Sequence, residues 1–235
     1  MERIDKTIAS QGKYSRKDVK KIISQGRIQV NGETIKKPET KVNPEKDEIF
    51  IDGEKIIIKK YIYLILNKPK GYISATNDKE KRTVLDLVPE DLYREGLFPA
   101  GRLDIDTTGL MIITNDGEFA HNILSPKKHV KKQYEVKIDI DMDENMVEQF
   151  SSGIKLKDGE CKSAILQITG KQTGLVTLTE GRYHQIKRMF GCFGAKVIEL
   201  HRVQMGNLKL PSNLKEGECR ELLQEELLKI KEEEV

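Results

Sequence analysis

Residues 101–117 read GRLDIDTTGLMIITNDG, and they place two carboxylates in a glycine-containing loop directly ahead of an apolar run. The two glycines of GRLDIDTTGL allow the loop to bend closely. Thr107 and Thr108 can hydrogen-bond to the backbone or to a carboxylate and fix the shape of the loop. The run LMIIT predicts a strand, and NDG predicts the turn that ends it. The stretch therefore predicts a shaped loop that presents a carboxylate beside a strand.

Strands dominate the chain on both sides of this stretch. Upstream, YIYLILNKPKGYISA begins with an apolar strand that Pro69 and Gly71 end in a turn. Downstream, strands are predicted in KKQYEVKI, SAILQIT, GLVTLT and KVIELHRVQMGNLKL. Helices are predicted at about residues 117–124, 143–151 and 183–193. Because strands and helices do not alternate regularly, we expect an α+β fold with a mixed, mostly antiparallel sheet and flanking helices.

The tail CRELLQEELLKIKEEE is also predicted to be a helix. Its acidic end is expected to fray. One face of this helix would carry Leu222, Leu223, Leu227 and Ile230.

Composition limits the classes of protein to which the chain can belong. Its 235 residues correspond to one or two domains, and 37% hydrophobic residues suffice for a packed core. No apolar run approaches the roughly 18 residues of a membrane span, and the N-terminus lacks the apolar core of a signal peptide. Three widely spaced cysteines favour a reducing cytoplasm over a disulfide framework or a zinc site. The four histidines show no metal-ligand spacing, and neither common glycine-rich nucleotide motif occurs.

The N-terminal region is basic and begins with a capped helix. Residues 1–30 contain eight Lys or Arg and three Asp or Glu, whereas residues 216–235 contain three and eight. A concentrated basic region suggests a polyanion partner, most often a nucleic acid, but a merely solvated surface is as compatible with the charge alone. Ser15 and Asp18 form a capping signature for a helix that runs through Gln25. The outer turns of this helix would carry Arg16, Lys17, Lys20 and Lys21.

Two hairpins follow this helix. Asn31-Gly32 in RIQVNGETI and Asp52-Gly53 in EIFIDGEKIII are strong hairpin-turn signals. Two short helices followed by an Asn-Gly hairpin, with Lys and Arg opposite the core, resemble the RNA-binding domain first described in ribosomal protein S-four. Such a surface offers cations to a phosphate backbone without reading sequence. We therefore expect an RNA-binding domain at residues 1–58, a joint at Lys59–Tyr61, and a second domain at residues 59–235.

Three segments of the second domain carry residue types suited to chemistry. The first is the loop and strand of residues 101–117. The second is KKHVKKQYEV, where Tyr134 lies in a strand behind a cluster of lysines, and the third is EGRYHQIKRMF, a basic start to a helix. In this order, and with LNKPKG as the opening strand and loop, they resemble the pseudouridine synthases. Within these they resemble the RsuA-like branch that acts on ribosomal RNA, in which an S-four-like domain in front is typical.

The resemblance implies roles for individual residues. Asp104, in RLD, corresponds to the catalytic aspartate. Tyr134 corresponds to the tyrosine that packs on the target base and helps to remove the proton from carbon 5. Lys187 holds the position of the basic residue that pairs with the aspartate; many relatives have arginine there, and lysine cannot form the same two-pronged pair. Ile186 corresponds to an apolar residue of the pocket, and Arg102 to a residue that fills the gap when the target base leaves its stack.

Other residues near these motifs are given supporting roles. Asp106 is predicted to brace the loop, and His184 to be a hydrogen-bonded structural residue. The lysines expected to hold the flanking RNA phosphates are Lys127, Lys128, Lys131 and Lys132.

The resemblance also implies the reaction and the partner. The bond between uracil and the anomeric carbon breaks, the base turns, and carbon 5 forms the new bond, with no redox cofactor and no metal. We expect a cytoplasmic monomer that acts on ribosomal RNA or a pre-ribosomal particle, with 16S rRNA preferred and 23S rRNA open. A non-catalytic RNA-binding assembly factor is the alternative from another class. A glycosidase is disfavoured, because Asp104 and Asp106 share one loop and could hardly flank a sugar.

Overall fold

The computed structural model of the chain describes residues 1–125, 128 and 130–230. The chain divides into two compact units, one of Met1–Ile62 with Val88–Leu97 and one of Tyr63–Leu87 with Phe98–Val235. This division falls four residues after the predicted boundary at residue 58, and it adds a short later segment to the first unit. That segment packs closely on Gly12, where an added Cβ would lie 2.1 Å from the carbonyl oxygen of Tyr93. The boundary between the functional domains stays a prediction.

The first unit combines two short helices with two small antiparallel sheets. One sheet pairs β1 with β4, and the other has the order β3-β2-β5-β6. Isoleucines and valines from both helices and from the strands form its core. Its elements are β1 (Glu2–Arg3), α1 (Ile4–Ala9), α2 (Arg16–Ser24), β2 (Ile28–Val30), β3 (Glu33–Thr34), β4 (Lys41–Val42), β5 (Ile49–Ile51) and β6 (Glu54–Ile56).

The local signals of the N-terminal region produce the predicted structures. Ser15 is the N-cap of α2: its hydroxyl accepts the Asp18 amide at 3.2 Å, and the Asp18 carboxylate accepts the Ser15 amide at 3.2 Å. Asn31 and Asp52 each have a positive φ, as does the glycine that follows each of them. Paired positive φ angles give a hairpin turn whose twist matches that of the flanking strands. The capped helix and both hairpins are therefore confirmed.

The second unit contains a nine-stranded sheet, counted among the described residues. Its elements are β7 (Tyr63–Lys68), a 3-10 helix (Val84–Leu87), β8 (Phe98–Pro99), β9 (Thr108–Thr114), α3 (Gly117–Leu124), β10 (Lys132–Ile138), α4 (Glu144–Ser152), β11 (Lys155–Leu156), β12 (Gly159–Glu160), β13 (Ile165–Gly170), β14 (Thr173–Leu178), α5 (Gln185–Gly191), β15 (Val197–Met205), β16 (Leu208–Lys209), β17 (Cys219–Glu221) and α6 (Gln224–Lys229).

The sheet is mixed and mostly antiparallel, as predicted. Its main path is β13-β14-β10-β15-β9-β7-β17, with β16 paired to β15 and β8 paired to β9. The pair β15–β9 is parallel, and the other described pairs of this sheet are antiparallel. Strand β9 is buried throughout, and α3 and the tail pack on the face that carries Leu110 and Ile112. The predicted α+β class is confirmed.

The structure corrects two predicted helices. Cys219–Glu221, expected to begin the tail helix, is strand β17 and pairs with β7. The helix α6 begins only at Gln224, and Leu223 at its N-cap is 57% exposed, so Leu223 is wrong as a member of the apolar face. Leu222, Leu227 and Ile230 do pack in the core, although Leu222 precedes the helix. The acidic end at residues 231–235 lies outside the described residues. The helix predicted at 183–193 is shorter, because His184 adopts a left-handed conformation and α5 starts after it.

Across the described residues, none of the helices combines the length and the apolar character that a membrane crossing requires.

Candidate active site

One cavity of about 440 Å³ in the second unit brings the three predicted segments together. The loop before β9 forms one side of the cavity, and the start of α5 forms another. Strands β10 and β15 contribute residues to its inner wall. Six of the predicted residues line it: Arg102, Asp104, Lys132, Tyr134, Ile186 and Lys187. The loop before β9 and strand β10 are brought near each other because β15 pairs with both β9 and β10 in the sheet.

A buried lysine fixes the carboxylate loop from below. Lys68, at the end of β7, is fully buried, and its ammonium group donates to the carbonyl oxygens of Thr107 at 2.8 Å and Asp104 at 3.1 Å. It also donates to Pro69 at 3.1 Å. Burial lowers the pKa of Lys68 to about 8. Lys68 lies in LNKPKG, which was part of the resemblance, but no role was predicted for it.

A close approach of two strands fixes the far end of the loop. Gly109 lies opposite Arg202 in the parallel pair of β9 and β15. Its φ is +101°, and an added Cβ would lie 2.3 Å from the carbonyl oxygen of Arg202. Only glycine fits such a position, so this residue sets where the loop ends and the strand begins.

Lys187 pairs with both carboxylates of the loop. Its Nζ lies 3.2 Å from Asp104 Oδ2 and 2.5 Å from Asp106 Oδ1. The side chain of Asp104 is 25% exposed and lines the cavity, whereas that of Asp106 is 61% exposed and faces solvent. Partial burial acts to lower the pKa of Lys187, but the hydrogen bonds that it donates to the two carboxylates raise this pKa above the ordinary value. The ion pair predicted between Asp104 and Lys187 is present in the structure.

Asp106 connects the loop to α5. Its described side-chain contact is the hydrogen bond from Lys187, at the start of α5. Partial burial acts to raise the pKa of Asp106, but the hydrogen bond and charge of Lys187 lower it overall. Asp106 therefore ties the loop to the helix, while Lys68 holds the loop backbone.

The turn before α5 holds a strained residue against the aspartate. His184 is the N-cap of α5 with φ +49° and ψ +34°, a conformation that costs a residue other than glycine about 1 kcal/mol or more. Its Nε2 lies 3.5 Å from Asp104 Oδ1, and its ring stacks on Tyr183 at 3.8 Å between centroids. The carboxamide of Gln185 accepts the Arg182 amide at 3.0 Å and steadies the turn. His184 therefore shapes the turn before α5 and also contacts Asp104, the candidate catalytic carboxylate.

Three side chains on one face of the sheet form the inner wall of the cavity. Tyr134 lies opposite Arg202 in the β10–β15 pair, and Lys132 is two residues before Tyr134 on the same strand. Partners in an antiparallel pair, like alternate residues of one strand, share a face. All three are buried. Sequence alternation could have placed Lys132 beside Tyr134, but Arg202 joins them only through long-range pairing.

The lysines predicted to bind RNA phosphates differ in their exposure to solvent. Lys132 is buried, and its Nζ donates to the Val130 carbonyl oxygen at 3.2 Å, so it cannot reach a phosphate on the outer surface as predicted. Burial, and next the charge of Arg202, lower its pKa to about 8. Lys128 and Lys131 are exposed and are not among the lining residues of the cavity. Lys127 lies outside the described residues.

The basic helix α2 belongs to the first unit. Lys17, Lys20 and Lys21 are exposed on it. Arg16 donates to the fully buried carboxylate of Asp5 at 3.2 Å, and Arg3 donates to the same carboxylate at 3.0 Å. These hydrogen bonds, led by that of Arg3, lower the pKa of Asp5. Arg16 therefore connects α2 to α1, and Asp5 is a residue that the sequence analysis missed.

Comparisons with known proteins agree with this architecture. The model of the RNA pseudouridylate synthase family matches residues 62–191, and that of the S4 domain matches residues 2–49. The chain is 40% identical to the uncharacterized RNA pseudouridine synthase YtzG of Bacillus subtilis, over 96% of each chain. It is 38% identical to ribosomal small subunit pseudouridine synthase A of Escherichia coli, over 97% of this chain and 99% of that one. A crystal structure of a pseudouridylate synthase superposes with a TM-score of 0.68 at 37% identity, covering 98% of this chain and all of that one.

The class is thus an enzyme that acts on RNA, with an S4 domain in front of a catalytic domain. The chain belongs to the RNA pseudouridylate synthase family, and it is a pseudouridine synthase. The predicted family is confirmed. In the part of the chain that the structure describes, no cluster of three or more His, Cys, Asp or Glu is placed to hold a metal ion.

Proposed function

We propose that this pseudouridine synthase modifies a specific uridine of 16S ribosomal RNA, free or in a pre-ribosomal particle. The observation that carries this proposal is the similarity over nearly the whole of both chains to ribosomal small subunit pseudouridine synthase A. The same reaction on 23S rRNA is the second candidate. Because ribosomal RNA is the substrate in either case, we place the enzyme in the cytoplasm, and we propose that it acts as a monomer.

Asp104 is proposed to be the catalytic carboxylate. It lines the cavity, and its Oδ2 lies 3.2 Å from the Nζ of Lys187, so the ammonium group holds the carboxylate in place. An ionised carboxylate can attack as a nucleophile or stabilise positive charge at the anomeric carbon. His184, on the other oxygen of the same carboxylate, limits its rotation.

Tyr134 is proposed to receive the target base. The base must leave its stack in folded RNA, which costs a few kcal/mol. Stacking on an aromatic ring returns about 1–3 kcal/mol. Tyr134 lines the cavity together with two apolar residues, Leu178 of β14 and Leu200 of β15. Ile186 supplies a further apolar contact, and Arg102, exposed beside the loop, is available to take the place of the extruded base.

The remaining basic residues are proposed to hold the RNA backbone. Lys131 is exposed next to the strand that carries Tyr134. In the first unit, Lys17, Lys20 and Lys21 present cations on one helix, while Arg16 adds a guanidinium that Asp5 orients. Contacts of this kind position an RNA without reading its sequence.

Mapping of pseudouridine in ribosomal RNA from cells with and without the gene tests the target. A single 16S position should lose its pseudouridine in the deletion strain and regain it with the wild-type gene. The Asp104→Asn gene should not restore it, although the protein should accumulate to the same level. A lost position in 23S rRNA would move the target to the large subunit. Unchanged maps of both RNAs would exclude ribosomal RNA as the substrate and favour a different RNA or a binding role.

A further inference from the structure

Three buried cations lie in and behind the inner wall of the cavity. Lys68, Lys132 and Arg202 are each at least nine-tenths buried. Burial lowers the pKa of Lys68 and of Lys132, and the charge of Arg202 adds to both effects, whereas Asp106 and Asp104 act on Lys68 in the opposite direction. The three cations are called the cation cluster below. Lys132 and Arg202 line the cavity itself, on the same face as Tyr134.

The cation cluster has no carboxylate in direct contact among the described residues. Lys68 is satisfied by backbone carbonyl oxygens, and Lys132 donates to one such oxygen, that of Val130. Arg202 Nε donates to the Leu110 carbonyl oxygen at 2.7 Å, while its Nη2 is buried without a partner in the described part of the chain. Burying a cation without an anion costs several kcal/mol. An arrangement with such a cost requires a gain elsewhere, and the gain can come from an anion that is present only during the reaction.

We propose that Lys132 and Arg202 contact the uracil ring in the cavity and stabilise the negative charge that develops on it when the bond to the sugar breaks. This inference rests on the proposed stacking of the base on Tyr134. A base on that ring lies between a cation from the neighbouring strand and a cation two residues earlier on the same strand. Both cations then face the ring oxygens on which the charge accumulates.

The step balances without any added reactant. The bond between the anomeric carbon and ring nitrogen 1 breaks, and its electron pair stays with the uracil, spread over nitrogen 1 and the two ring oxygens. After the ring turns, an electron pair on carbon 5 forms the new bond to the anomeric carbon. The proton on carbon 5 then leaves, and nitrogen 1 takes up a proton. The cations neither gain nor lose a bond; they lower the energy of the anion between the two bond changes.

The same cations could instead bind an RNA phosphate. Binding of a phosphate and binding of the uracil ring predict different effects on RNA affinity and on the rate of the chemical step. A phosphate carries the same charge before and during the reaction, so cations that hold it strengthen binding equally in the ground state and the transition state. Cations that face the uracil meet a neutral ring in the ground state and an anion after bond cleavage. Their removal should therefore slow the chemical step while the affinity for RNA stays the same.

The experiment compares wild type with Lys132→Met and with the matched control Lys137→Met. Methionine keeps nearly the volume and shape of the lysine stem. Lys137 is an exposed residue on the opposite face of the same strand. The substrate is the RNA fragment in which wild type makes its product, prepared with uridine or with 5-fluorouridine at the target position. The rate is followed under single turnover with saturating enzyme, as disappearance of the nucleoside linked through nitrogen 1.

The fluorine atom is chosen because it withdraws electrons and stabilises the ring anion by itself. On uridine, Lys132→Met should be slower than wild type by about 100-fold or more, the loss typical of one preorganised charge-stabilising group. On 5-fluorouridine the loss should be less than about tenfold, since less stabilisation is then required of the protein. Lys137→Met should match wild type on both substrates, and the dissociation constants for RNA should agree within twofold across the three proteins.

Equal losses on the two substrates, or weaker RNA binding that accounts for the whole loss, would overturn the proposal; the second result would assign the cations to a phosphate. Lys132→Gln, which is neutral but polar, repeats the comparison should the methionine variant fold poorly, and it should show the same difference between substrates. A wrong ribosomal target has a separate signature, because wild type would then leave 16S rRNA unchanged while the comparison proceeds on the RNA that it does modify.

Discussion

Lys187 interacts with two carboxylates, yet the two occupy different surroundings. Asp104 lies against the cavity between Lys187 and His184, whereas Asp106 faces solvent and reaches only Lys187 among its described side-chain partners. A carboxylate in the cavity can touch the sugar or the base of a bound nucleotide. A carboxylate at the surface can influence the reaction only through the lysine that it shares.

Asp104→Asn should therefore reduce the rate by at least about 10³-fold, since asparagine is neutral and a far poorer nucleophile. Asp106→Asn should cost less than about tenfold, because Lys187 keeps its pair with Asp104 and the exposed charge of Asp106 is screened. The measurement is single-turnover release of tritium from carbon 5 of labelled rRNA, with enzyme in excess of its dissociation constant. Sustained release by Asp104→Asn together with none from Asp106→Asn would reverse the two roles.

The buried charge of Lys132 should be visible in stability as well as in rate. Its pKa in the folded protein is about 8, below its ordinary value of 10.5. Below pH 8 the lysine is charged in both states, and the folded state bears the cost of burying it. Between pH 8 and 10.5 the folded state releases the proton while the unfolded state keeps it, so the cost diminishes as pH rises.

Lys132→Met should thus be more stable than wild type at pH 7, by on the order of 3 kcal/mol, and this advantage should shrink at pH 9.5. Urea unfolding of both proteins at the two pH values measures the difference, in which the titrations that they share cancel. Lys137→Met, whose side chain is exposed, should differ little from wild type at either pH. If Lys132→Met exceeds wild type in stability by the same amount at both pH values, burial of the Lys132 ammonium group does not destabilise the folded protein.

At the scale of elements, local signals predicted structure well where no distant partner competes. The capping residues Ser15 and Asp18 and the turn residue Asn31 produced what they indicated, because their interactions span only a few residues. The tail failed for the opposite reason. Its helical pattern is outweighed at Cys219–Glu221 by the free edge of β7, whose backbone groups gain hydrogen bonds from a partner strand.

The parallel pairing of β9 with β15 depends on Gly109. Gly109→Ala should destabilise the protein by more than about 2 kcal/mol, because the methyl group meets the Arg202 backbone and φ is positive. Gly117→Ala is the matched control: its Cβ meets nothing within 4 Å and its place in α3 favours alanine. Chemical denaturation of both variants tests this. A change for Gly109→Ala as small as that for Gly117→Ala would mean that the two strands can separate at little cost.

At the scale of the whole molecule, the sequence predicted the site through three local motifs but missed the residues that join them. Asp104, Tyr134 and Lys187 were chosen from short segments, and the fold places them around one cavity. Lys68 reaches carbonyl oxygens 36 and 39 residues away, and Arg202 joins Tyr134 only through strand pairing. A single sequence carries no local sign of such contacts, since their meaning depends on the register of a sheet that is not yet built.

The basic surface of the first unit calls for a test that leaves the fold whole. Deleting residues 1–58 would strip the partners from Val88–Leu97, which packs with that unit, so a loss of RNA binding could reflect damage to the remainder. Substitution of exposed lysines avoids this difficulty. Lys17, Lys20 and Lys21 lie on α2, while an equal number of exposed lysines on the same unit, Lys36, Lys37 and Lys41, lie outside that helix.

Changing Lys17, Lys20 and Lys21 together to glutamine should weaken RNA binding and flatten its dependence on salt. Each lost phosphate contact on single-stranded RNA lowers the slope of log affinity against log salt by about 0.7, so three contacts lower it by roughly 2. The same change at Lys36, Lys37 and Lys41 removes equal net charge and should lower the slope by less than about 0.7. Binding to the substrate fragment is measured from about 50 to 200 mM salt, a range over which phosphate contacts dominate. An equal reduction of the slope in both triple variants would mean that net charge, and not the α2 surface, attracts the RNA. An unchanged slope in both would assign RNA binding to the catalytic unit alone.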